Sequence, residues 1–310
     1  MKAHHIGGIV FAFFCFFGVN AVNSWVEGQA MGGKDRTAVE SADAGGCTVE
    51  KFSVYSKSMG RDIRAIVILP PEYKSNSGKK YPILYTLHGR GAPYGVYNDM
   101  GQIKSALKDK PMIVTCMDAD YGSWYLDSLN PQYADSKKKG PKVKSLFTTF
   151  FLDEFIPCID KYYRINPQQR MVTGFSMGGF GALHYMLTKP EMFVSVSSLS
   201  GAFYALADAK GRERVGSLLG SYSENKEKYE EQDLFMAVKK YAANKTKLPP
   251  VYLHCGTEDD LMSTNVEMND LLQKNGYTSS LKKSSGKHDF KFWAGAVPGF
   301  MDFHWKSVNK

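Results

Sequence analysis

Short apolar runs recur along most of the chain and are separated by amphipathic or polar stretches. The runs at residues 82–87 and 112–117 are almost continuously apolar, which is typical of strands buried on both faces of a sheet. Further strands are predicted at residues 48–56, 63–69, 171–175, 192–199, 251–255 and 279–283. The first two of these, joined through Gly60, are expected to form an antiparallel pair at the start of the sheet.

Helical periodicity occupies several of the intervals between these strands. In residues 145–163 the side chains of Phe147, Phe151 and Phe155 recur at every fourth position and therefore share one helix face. Further helices are predicted at residues 178–187, 233–242, 261–274 and 291–308, the last interrupted near Pro298. Because strands alternate with helices, we expect an α/β fold with a mainly parallel central sheet and helices on both faces.

Residues 1–21 have the pattern of a signal peptide, in which an apolar run at 9–19 precedes small residues near Ala21. The run is short for a membrane span, and an uncleaved anchor is the alternative. Residues 22–46 are polar and rich in Gly, Ala and Ser, and we interpret them as a leader or linker before a folded domain at 47–310. These features predict a secreted or periplasmic protein with no stable membrane association after cleavage.

The composition of the 310 residues, 43% hydrophobic and 23% charged, is that of a globular protein and argues against a disordered or fibrous chain. The net charge of +8 includes a lysine-rich stretch at 137–144. Gly140 and Pro141 interrupt this stretch, which favours a solvated loop over an anion-binding surface. No nucleic-acid-binding motif accompanies the charge, so we expect no nucleic acid partner. The sequence leaves the oligomeric state open.

Four cysteines follow the N-terminal segment. Cys116 and Cys255 lie within apolar runs, so both are predicted to be buried free thiols. The spacings fit no zinc-binding pattern, and we expect neither a metal nor a cofactor. A disulfide between Cys47 and Cys158 is compatible with an oxidising compartment, but the sequence leaves this pairing open.

The strongest chemical signal is Gly174-Phe175-Ser176-Met177-Gly178, which fits the pattern G-x-S-x-G between a strand and a helix. In such a turn the serine is held in a strained backbone conformation, and a side chain at either glycine would clash with neighbouring backbone. The helix that follows directs its positive N-terminus at the site. We therefore predict Ser176 as a nucleophile. The alternative is a glycine-rich turn that only packs tightly.

A serine nucleophile requires a base, and His288 is the best candidate among the seven histidines. It lies in a loop beyond the last predicted strand, from which it can reach the turn at Ser176. In contrast, His184 falls mid-helix and His254 mid-strand, so both are expected to be satisfied core residues. His304 lies inside the terminal helix.

The third member of a serine triad is an acid that orients the base, and it is expected in the turn after the strand at 251–255. Glu258, Asp259 and Asp260 are adjacent there. Asp260 directly precedes the next predicted helix and is the best candidate for its N-cap, which leaves Asp259 or Glu258 for the triad. The order serine, acid, histidine is the one that the α/β-hydrolase topology produces.

Acyl transfer also requires hydrogen-bond donors for an oxyanion. The backbone N–H of Met177, directly after the nucleophile, is the first candidate. The glycine-containing loop at residues 87–91 follows a predicted strand and can approach a substrate closely, and the backbone N–H of Arg90 is the candidate for the second donor.

Five segments together carry a resemblance to a known family. They are Tyr-Thr-Leu-His-Gly at 85–89, Gly-Ser-Trp-Tyr at 122–125, Gly-Phe-Ser-Met-Gly-Gly at 174–179, Cys-Gly-Thr-Glu-Asp at 255–259 and Gly-Lys-His-Asp-Phe at 286–290. In this order they resemble the esterase D-like "putative esterase" family. That family includes the feruloyl and acetylxylan esterases of carbohydrate esterase family one and, more distantly, S-formylglutathione hydrolases and mycolyltransferases. The resemblance covers the chain from about residue 48 onward and implies the α/β-hydrolase fold.

The resemblance also bears on the choice of acid. The aspartate of the family's Cys-Gly-Thr-x-Asp segment matches Asp259, which is therefore preferred over Glu258. The histidine of the family's Gly-x-His-Asp-Phe segment matches His288. The loop at 92–97 departs from the family's pattern, and we expect it to help shape the acyl pocket.

The residues and the resemblance together predict a secreted serine carboxylic-ester hydrolase that acts through an acyl-enzyme. A feruloyl ester on plant cell-wall polysaccharide is the leading substrate, and the partner would be a small ester or an esterified polysaccharide. The alternatives are an acetylxylan or short-chain carboxylesterase, a thioesterase, and a catalytically inactive carbohydrate-binding module on the same fold. In the polar, aromatic loop predicted at 118–140, Trp124 and Tyr125 either stack on an aromatic acyl group or a sugar, or anchor the loop.

Overall fold

A ten-stranded sheet runs through the computed structural model, which describes residues 26–27, 35–37, 39–129 and 143–309. Its strands are β1 (Val26–Glu27), β2 (Glu40–Ala44), β3 (Cys47–Ser56), β4 (Arg61–Leu69), β5 (Tyr81–Leu87), β6 (Ile113–Met117), β7 (Ile165–Phe175), β8 (Ser195–Leu199), β9 (Val251–Gly256) and β10 (Ser279–Ser284). Their order across the sheet is β1-β2-β3-β4-β6-β5-β7-β8-β9-β10.

The sheet changes from antiparallel to parallel at β6. Strands β1 to β4 pair antiparallel with one another, and β4 pairs antiparallel with β6. From β6 to β10 every pairing is parallel, with Leu87 of β5 opposite Gly174 of β7. The predicted antiparallel start and mainly parallel sheet are confirmed. Parallel strands end at a common edge, so the loops after β5, β7, β9 and β10 are neighbours in space.

Helices cover both faces of the sheet, as expected. They are α1 (Val96–Asp99), α2 (Gly101–Ala106), α3 (Phe147–Thr149), α4 (Ile156–Tyr162), α5 (Met177–Thr188), α6 (Ala209–Leu219), α7 (Tyr222–Gln232), α8 (Leu234–Ala243), α9 (Met262–Lys274) and α10 (Phe290–Val308). Apolar side chains of α2 and α10 pack in one cluster, and those of α4, α5, α8 and α9 pack in the other. Alternate residues of β4 enter the two clusters, so the sheet separates them.

The interpretation of residues 22–46 as a linker is wrong for its second half. Strand β2 lies within it and pairs with β3, with Ser41 opposite Glu50. The carboxylate of Asp35 accepts hydrogen bonds from Tyr162 at 2.6 Å and Lys161 at 2.8 Å. The residues of β2 are too polar for the sequence pattern to predict a strand. In the structure they complete the backbone hydrogen bonds along the edge of β3. The folded domain therefore begins before residue 47.

Helix α10 is more regular than expected. It continues through Pro298 instead of breaking there. Proline removes one backbone hydrogen bond from a helix interior, but Val297, Phe300 and Met301 around it are fully buried. Their packing against the sheet holds the helix together.

The positions of the four cysteines decide whether a disulfide forms. Cys47, Cys116, Cys158 and Cys255 are all buried and free. Cys47 belongs to one apolar cluster and Cys158 to the other, so the sheet lies between them and no disulfide forms. Cys116 and Cys255 are the buried thiols that the sequence predicts.

The proposed signal peptide at 1–21 and most of the lysine-rich stretch at 137–144 lie outside the described residues. Among the helices that the described residues form, none is long and apolar enough to cross a membrane.

Candidate active site

Ser176 occupies a sharp turn between β7 and α5, with φ 56° and ψ −118°. A non-glycine residue rarely adopts a positive φ, so the surrounding packing must hold this turn. A side chain at Gly174 would overlap the backbone of Gly178, and one at Gly178 would overlap the carbonyl of Leu87. Both glycines are therefore required for close approach of the backbone, as the sequence predicts.

The structure brings Ser176, His288 and Asp259 together from three separate loops. Oγ of Ser176 lies 2.9 Å from Nε2 of His288. Nδ1 of the same imidazole lies 2.9 Å from Oδ2 and 3.1 Å from Oδ1 of Asp259. Because a carboxylate only accepts hydrogen bonds, the proton of a neutral His288 resides on Nδ1. Nε2 is then left to accept the serine proton.

The acid and the base have different environments. The side chain of Asp259 is fully buried, whereas 35% of the His288 side chain is exposed. Burial acts to raise the pKa of Asp259, but hydrogen bonds from His288, the Leu261 N–H and Ser200 outweigh it and hold the pKa below its ordinary value. Asp259 is thus a buried carboxylate that stays charged beside the imidazole.

The two acids on either side of Asp259 contact other groups. Oε1 of Glu258 accepts a hydrogen bond from the Ser285 hydroxyl at 2.9 Å. The expectation that Asp260 caps the following helix is wrong, because α9 begins without a side-chain cap. Instead, Oδ1 of Asp259 accepts the Leu261 N–H at 2.8 Å. Asp259 therefore orients both His288 and the turn that leads into the helix.

The two candidate oxyanion donors lie on two different segments of the chain. Met177 is the first residue of α5, and Arg90 lies in the loop after β5. Among the described residues, neither backbone N–H donates a hydrogen bond to another protein atom. A side chain on Gly89 would approach the Phe175 ring to 2.6 Å, so the loop lies directly against the turn that holds Ser176. Both N–H groups are free to bind a substrate oxygen.

The buried side chain of His88 forms hydrogen bonds that hold this loop. Its Nδ1 lies 2.8 Å from the Gly89 carbonyl, and its Nε2 accepts the Ala119 N–H at 3.0 Å. Burial lowers its pKa, so the ring is neutral with its proton on Nδ1. The hydroxyl of Tyr125 donates to the His88 carbonyl at 2.8 Å. The sequence places His88 beside two glycines but does not show these contacts.

The proposed substrate contact of Tyr125 is wrong. Its side chain is completely buried, and its ring packs edge to face against Tyr185. A side chain on Gly181 would approach this ring to 2.5 Å, so α5 leaves no room for a ligand there. Tyr125 anchors the loop, which is the other role considered for it. Trp124 is 3% exposed and lines a small cavity together with Ala202 and Leu261.

The other histidines inside regular elements are core residues. His184, His254 and His304 are buried, and they contact Thr148, Ser284 and a pair of serines respectively. Burial lowers the pKa of His184 and His254 to about 4 and that of His304 to about 3. They are neutral at physiological pH. The prediction of a satisfied core residue is confirmed for His184, whereas His254 is a core residue whose buried Nδ1 has no hydrogen-bond partner among the described residues.

The strand order, the serine turn and the loop-borne histidine define an α/β-hydrolase fold. A family model described as "Putative esterase" matches residues 56–301, which is most of the chain. The chain therefore belongs to this esterase family, as the sequence motifs indicate.

Similar proteins come from several sources. An esterase of Mycobacterium tuberculosis is 34% identical over 139 residues, which are 44% of this chain but only 28% of the mycobacterial protein. An acetyl esterase of Caldicellulosiruptor saccharolyticus is 26% identical over 271 residues, covering 79% of this chain and 93% of that protein. A solved ferulic acid esterase superposes with a TM-score of 0.68 at 23% identity, covering 84% of this chain and 98% of that structure. The structural likeness supports the fold.

Proposed function

We propose that this protein is a secreted serine carboxylic-ester hydrolase that uses Ser176, His288 and Asp259 as a catalytic triad. The observation that carries the proposal is the 2.9 Å contact between Ser176 Oγ and His288 Nε2, with the buried Asp259 carboxylate on the opposite side of the imidazole. Nucleophile and base are within hydrogen-bond reach, and a third group orients the base.

The first half of the reaction forms an acyl-enzyme. His288 Nε2 takes the hydroxyl proton as Ser176 Oγ attacks the ester carbonyl carbon. The Met177 and Arg90 N–H groups donate to the oxyanion of the tetrahedral intermediate. His288 then gives its proton to the alcohol oxygen, the carbon–oxygen bond of the ester breaks, and the alcohol leaves. Asp259 stabilises the transient imidazolium.

The second half releases the acid. A water molecule gives a proton to His288 Nε2 while its oxygen attacks the acyl carbon. When the intermediate collapses, the proton returns to Ser176 Oγ and the carboxylic acid departs. In these steps the nucleophile, the base and the acid are residues of this chain, and water is the second reactant.

A cavity of about 270 Å³ next to the triad is the proposed acyl site. It lies close to Ser176, because the Ala202 N–H donates to the Ser176 carbonyl at 3.1 Å. Trp124, Ala202 and Leu261 form apolar parts of its wall. The polar part of the wall is made by Tyr204 and by the charged residues Asp208, Lys210, Arg214 and Asp260. A cavity near the lower end of the usual range for small-molecule sites favours a compact acyl group over a long chain.

A feruloyl ester on plant cell-wall polysaccharide remains the leading proposed substrate. Tyr204 and Trp124 could border an aromatic acyl group, and the ferulic acid esterase shares the fold. Acetylxylan or another short-chain ester is the second candidate. It is favoured by the small cavity and by the burial of Tyr125, which removes one of the two predicted stacking residues.

Hydrolysis of two esters by purified protein tests the proposal. Wild type and Ser176→Ala are compared on p-nitrophenyl acetate and on methyl ferulate. We expect wild type to hydrolyse the acetate at least 10³-fold faster than the variant, an order of magnitude typical for loss of a nucleophile. Equal slow rates would point to a catalytically inactive binding module. Hydrolysis of the acetate alone would exclude the feruloyl ester and support the short-chain alternative.

Export is a separate part of the proposal. It rests on the signal-peptide pattern of residues 1–21. Mass spectrometry of the protein recovered outside the cytoplasm should show a chain that begins after Ala21. A full-length chain retained in the membrane fraction would instead indicate the uncleaved anchor.

A further inference from the structure

The indole ring of Trp293 contacts two parts of the active site at once. Its ring lies edge to face with the His288 imidazole, with centroids 4.9 Å apart and planes at 89°. The same ring stacks on Phe175, the residue before the nucleophile, at 4.3 Å and 16°. One side chain therefore lies between the loop of the base and the strand that carries Ser176.

The indole N–H of Trp293 is itself held by a buried serine. It donates a hydrogen bond to Ser200 Oγ at 3.1 Å. Ser200 is fully buried directly after β8, and its own N–H donates to the His254 carbonyl at 2.8 Å. The Ser200 side chain is also among the groups that lower the pKa of Asp259. Ser200 thus accepts the indole N–H of Trp293 on the side of the site where the acid lies.

The backbone of Ser200 has an unusual conformation. Its φ is 48°, in the left-handed region that residues with a side chain rarely adopt. Such a conformation costs about 1–3 kcal/mol and persists only where the surroundings hold it. A serine in this conformation keeps its hydroxyl on the indole N–H at some cost in stability.

We infer that Trp293 and Ser200 are a positioning pair, in which Ser200 fixes the indole and the indole holds the His288 imidazole in register with Asp259 and Ser176. The inference rests on the proposed serine-esterase function and adds two residues to it. His288 lies on a loop, and about a third of its side chain is exposed. Solvent on the exposed side does not hold the imidazole against Asp259. Trp293 restricts the imidazole by contact, and Ser200 restricts the indole by a hydrogen bond.

A double-variant cycle tests whether the two residues act together. Ser200→Ala removes the hydroxyl, and Trp293→Phe keeps a ring but removes the indole N–H. Each variant should lower kcat on p-nitrophenyl acetate about 10-fold, because small misplacements of catalytic groups are costly, while KM changes less than about twofold. The kcat of the double variant should be no lower than that of the less active single variant, because both residues act through one chain of contacts.

Two control variants are available in the same elements. Ser198→Ala removes a buried hydroxyl of β8 that has no hydrogen-bond partner among the described residues. Trp305→Phe changes another tryptophan of α10, which packs against an apolar cluster. Both should keep kcat within about twofold of wild type. Any of three results would overturn the inference. The first is a loss of kcat in the controls as large as that in the test variants, and the second is an unchanged kcat in either single test variant. The third is a loss in the double variant equal to the product of the two single losses.

Proton NMR supplies a readout that needs no turnover. The low-field signal of the His288 Nδ1 proton is assigned by its loss in His288→Gln and followed in each folded variant. It should shift in Ser200→Ala and Trp293→Phe and stay in place in Ser198→Ala and Trp305→Phe. An unmoved signal in either test variant would contradict the pair. If wild type fails to hydrolyse any ester, the proposed function fails while this comparison still decides the positioning role.

Discussion

Nδ1 of His288 lies 2.9 Å from Oδ2 of Asp259, while the adjacent carboxylate of Glu258 accepts a hydrogen bond from Ser285. Three consecutive acids follow β9, so sequence position alone does not choose among them. The turn into α9 selects Asp259 among the three acids. In this turn the Leu261 N–H donates to the Asp259 carboxylate and fixes it next to the imidazole.

The first prediction separates the two carboxylates. Asp259→Asn should lower kcat/KM on p-nitrophenyl acetate by about 10⁴-fold, because an amide cannot hold the required imidazole tautomer or stabilise the imidazolium. Glu258→Gln is the matched control and should stay within a few-fold of wild type. Steady-state kinetics of both purified variants check this. A larger loss in Glu258→Gln than in Asp259→Asn would contradict the assignment.

The second prediction concerns the loop that carries the Arg90 N–H. Gly91 has φ +73°, and a side chain there would approach the Tyr121 ring to 2.7 Å. Gly91→Ala should therefore displace the loop and lower kcat by about 10²-fold, the usual cost of losing one oxyanion donor. Gly95→Ala, where a side chain meets open space, should leave kcat unchanged. Wild-type kcat in folded Gly91→Ala would show that this loop supplies no donor.

The third prediction concerns the packing of the serine turn. A side chain at Gly178 would overlap the Leu87 carbonyl, so Gly178→Ala should reduce the free energy of unfolding by about 3 kcal/mol or more. Gly216→Ala in α6 is the control. Its side chain would come no closer than 3.9 Å to Tyr229, and we expect a gain of about 0.5–1 kcal/mol. Urea unfolding measures both, and equal stabilities would refute the packing argument.

The fourth prediction concerns stability at low pH. His184, His254 and His304 are buried and neutral, with pKa values lowered to about 4, 4 and 3. In the unfolded chain they protonate near pH 6.5. Their stabilising contribution is therefore complete above about pH 6.5 and is lost as the pH falls toward 4, by up to about 1.4 kcal/mol per pH unit for each histidine.

Urea unfolding between pH 7.5 and 5 measures this slope. His304→Gln removes one titrating group and can still bond Ser195 or Ser197, so the slope should fall by about one proton. A free energy of unfolding that does not change over this range would contradict the prediction.

Much of the fold and the core of the site follow from local sequence patterns. The parallel strands are continuous apolar runs, and the glycines around Ser176 are required by close backbone contacts. The predicted nucleophile and base meet because parallel strands end at one edge of the sheet. These features depend on short-range patterns and on a topology that has few solutions.

Other features depend on tertiary contacts that no local pattern encodes. Strand β2 is polar and forms because β3 offers it a free edge. Tyr125 looks like a binding residue in a polar loop, yet α5 and His88 enclose it. The contacts of Trp293 and Ser200 join residues 93 positions apart, so neither residue stands out in the sequence.

Labelling with a fluorophosphonate tests the central claim most directly. An activated serine attacks the phosphorus, fluoride leaves, and the adduct is located by peptide mass spectrometry. We predict one adduct per chain on Ser176, with parallel loss of esterase activity, no adduct in Ser176→Ala and much slower labelling in His288→Gln. Labelling of a different residue, or ester hydrolysis by Ser176→Ala at the wild-type rate, would contradict the account.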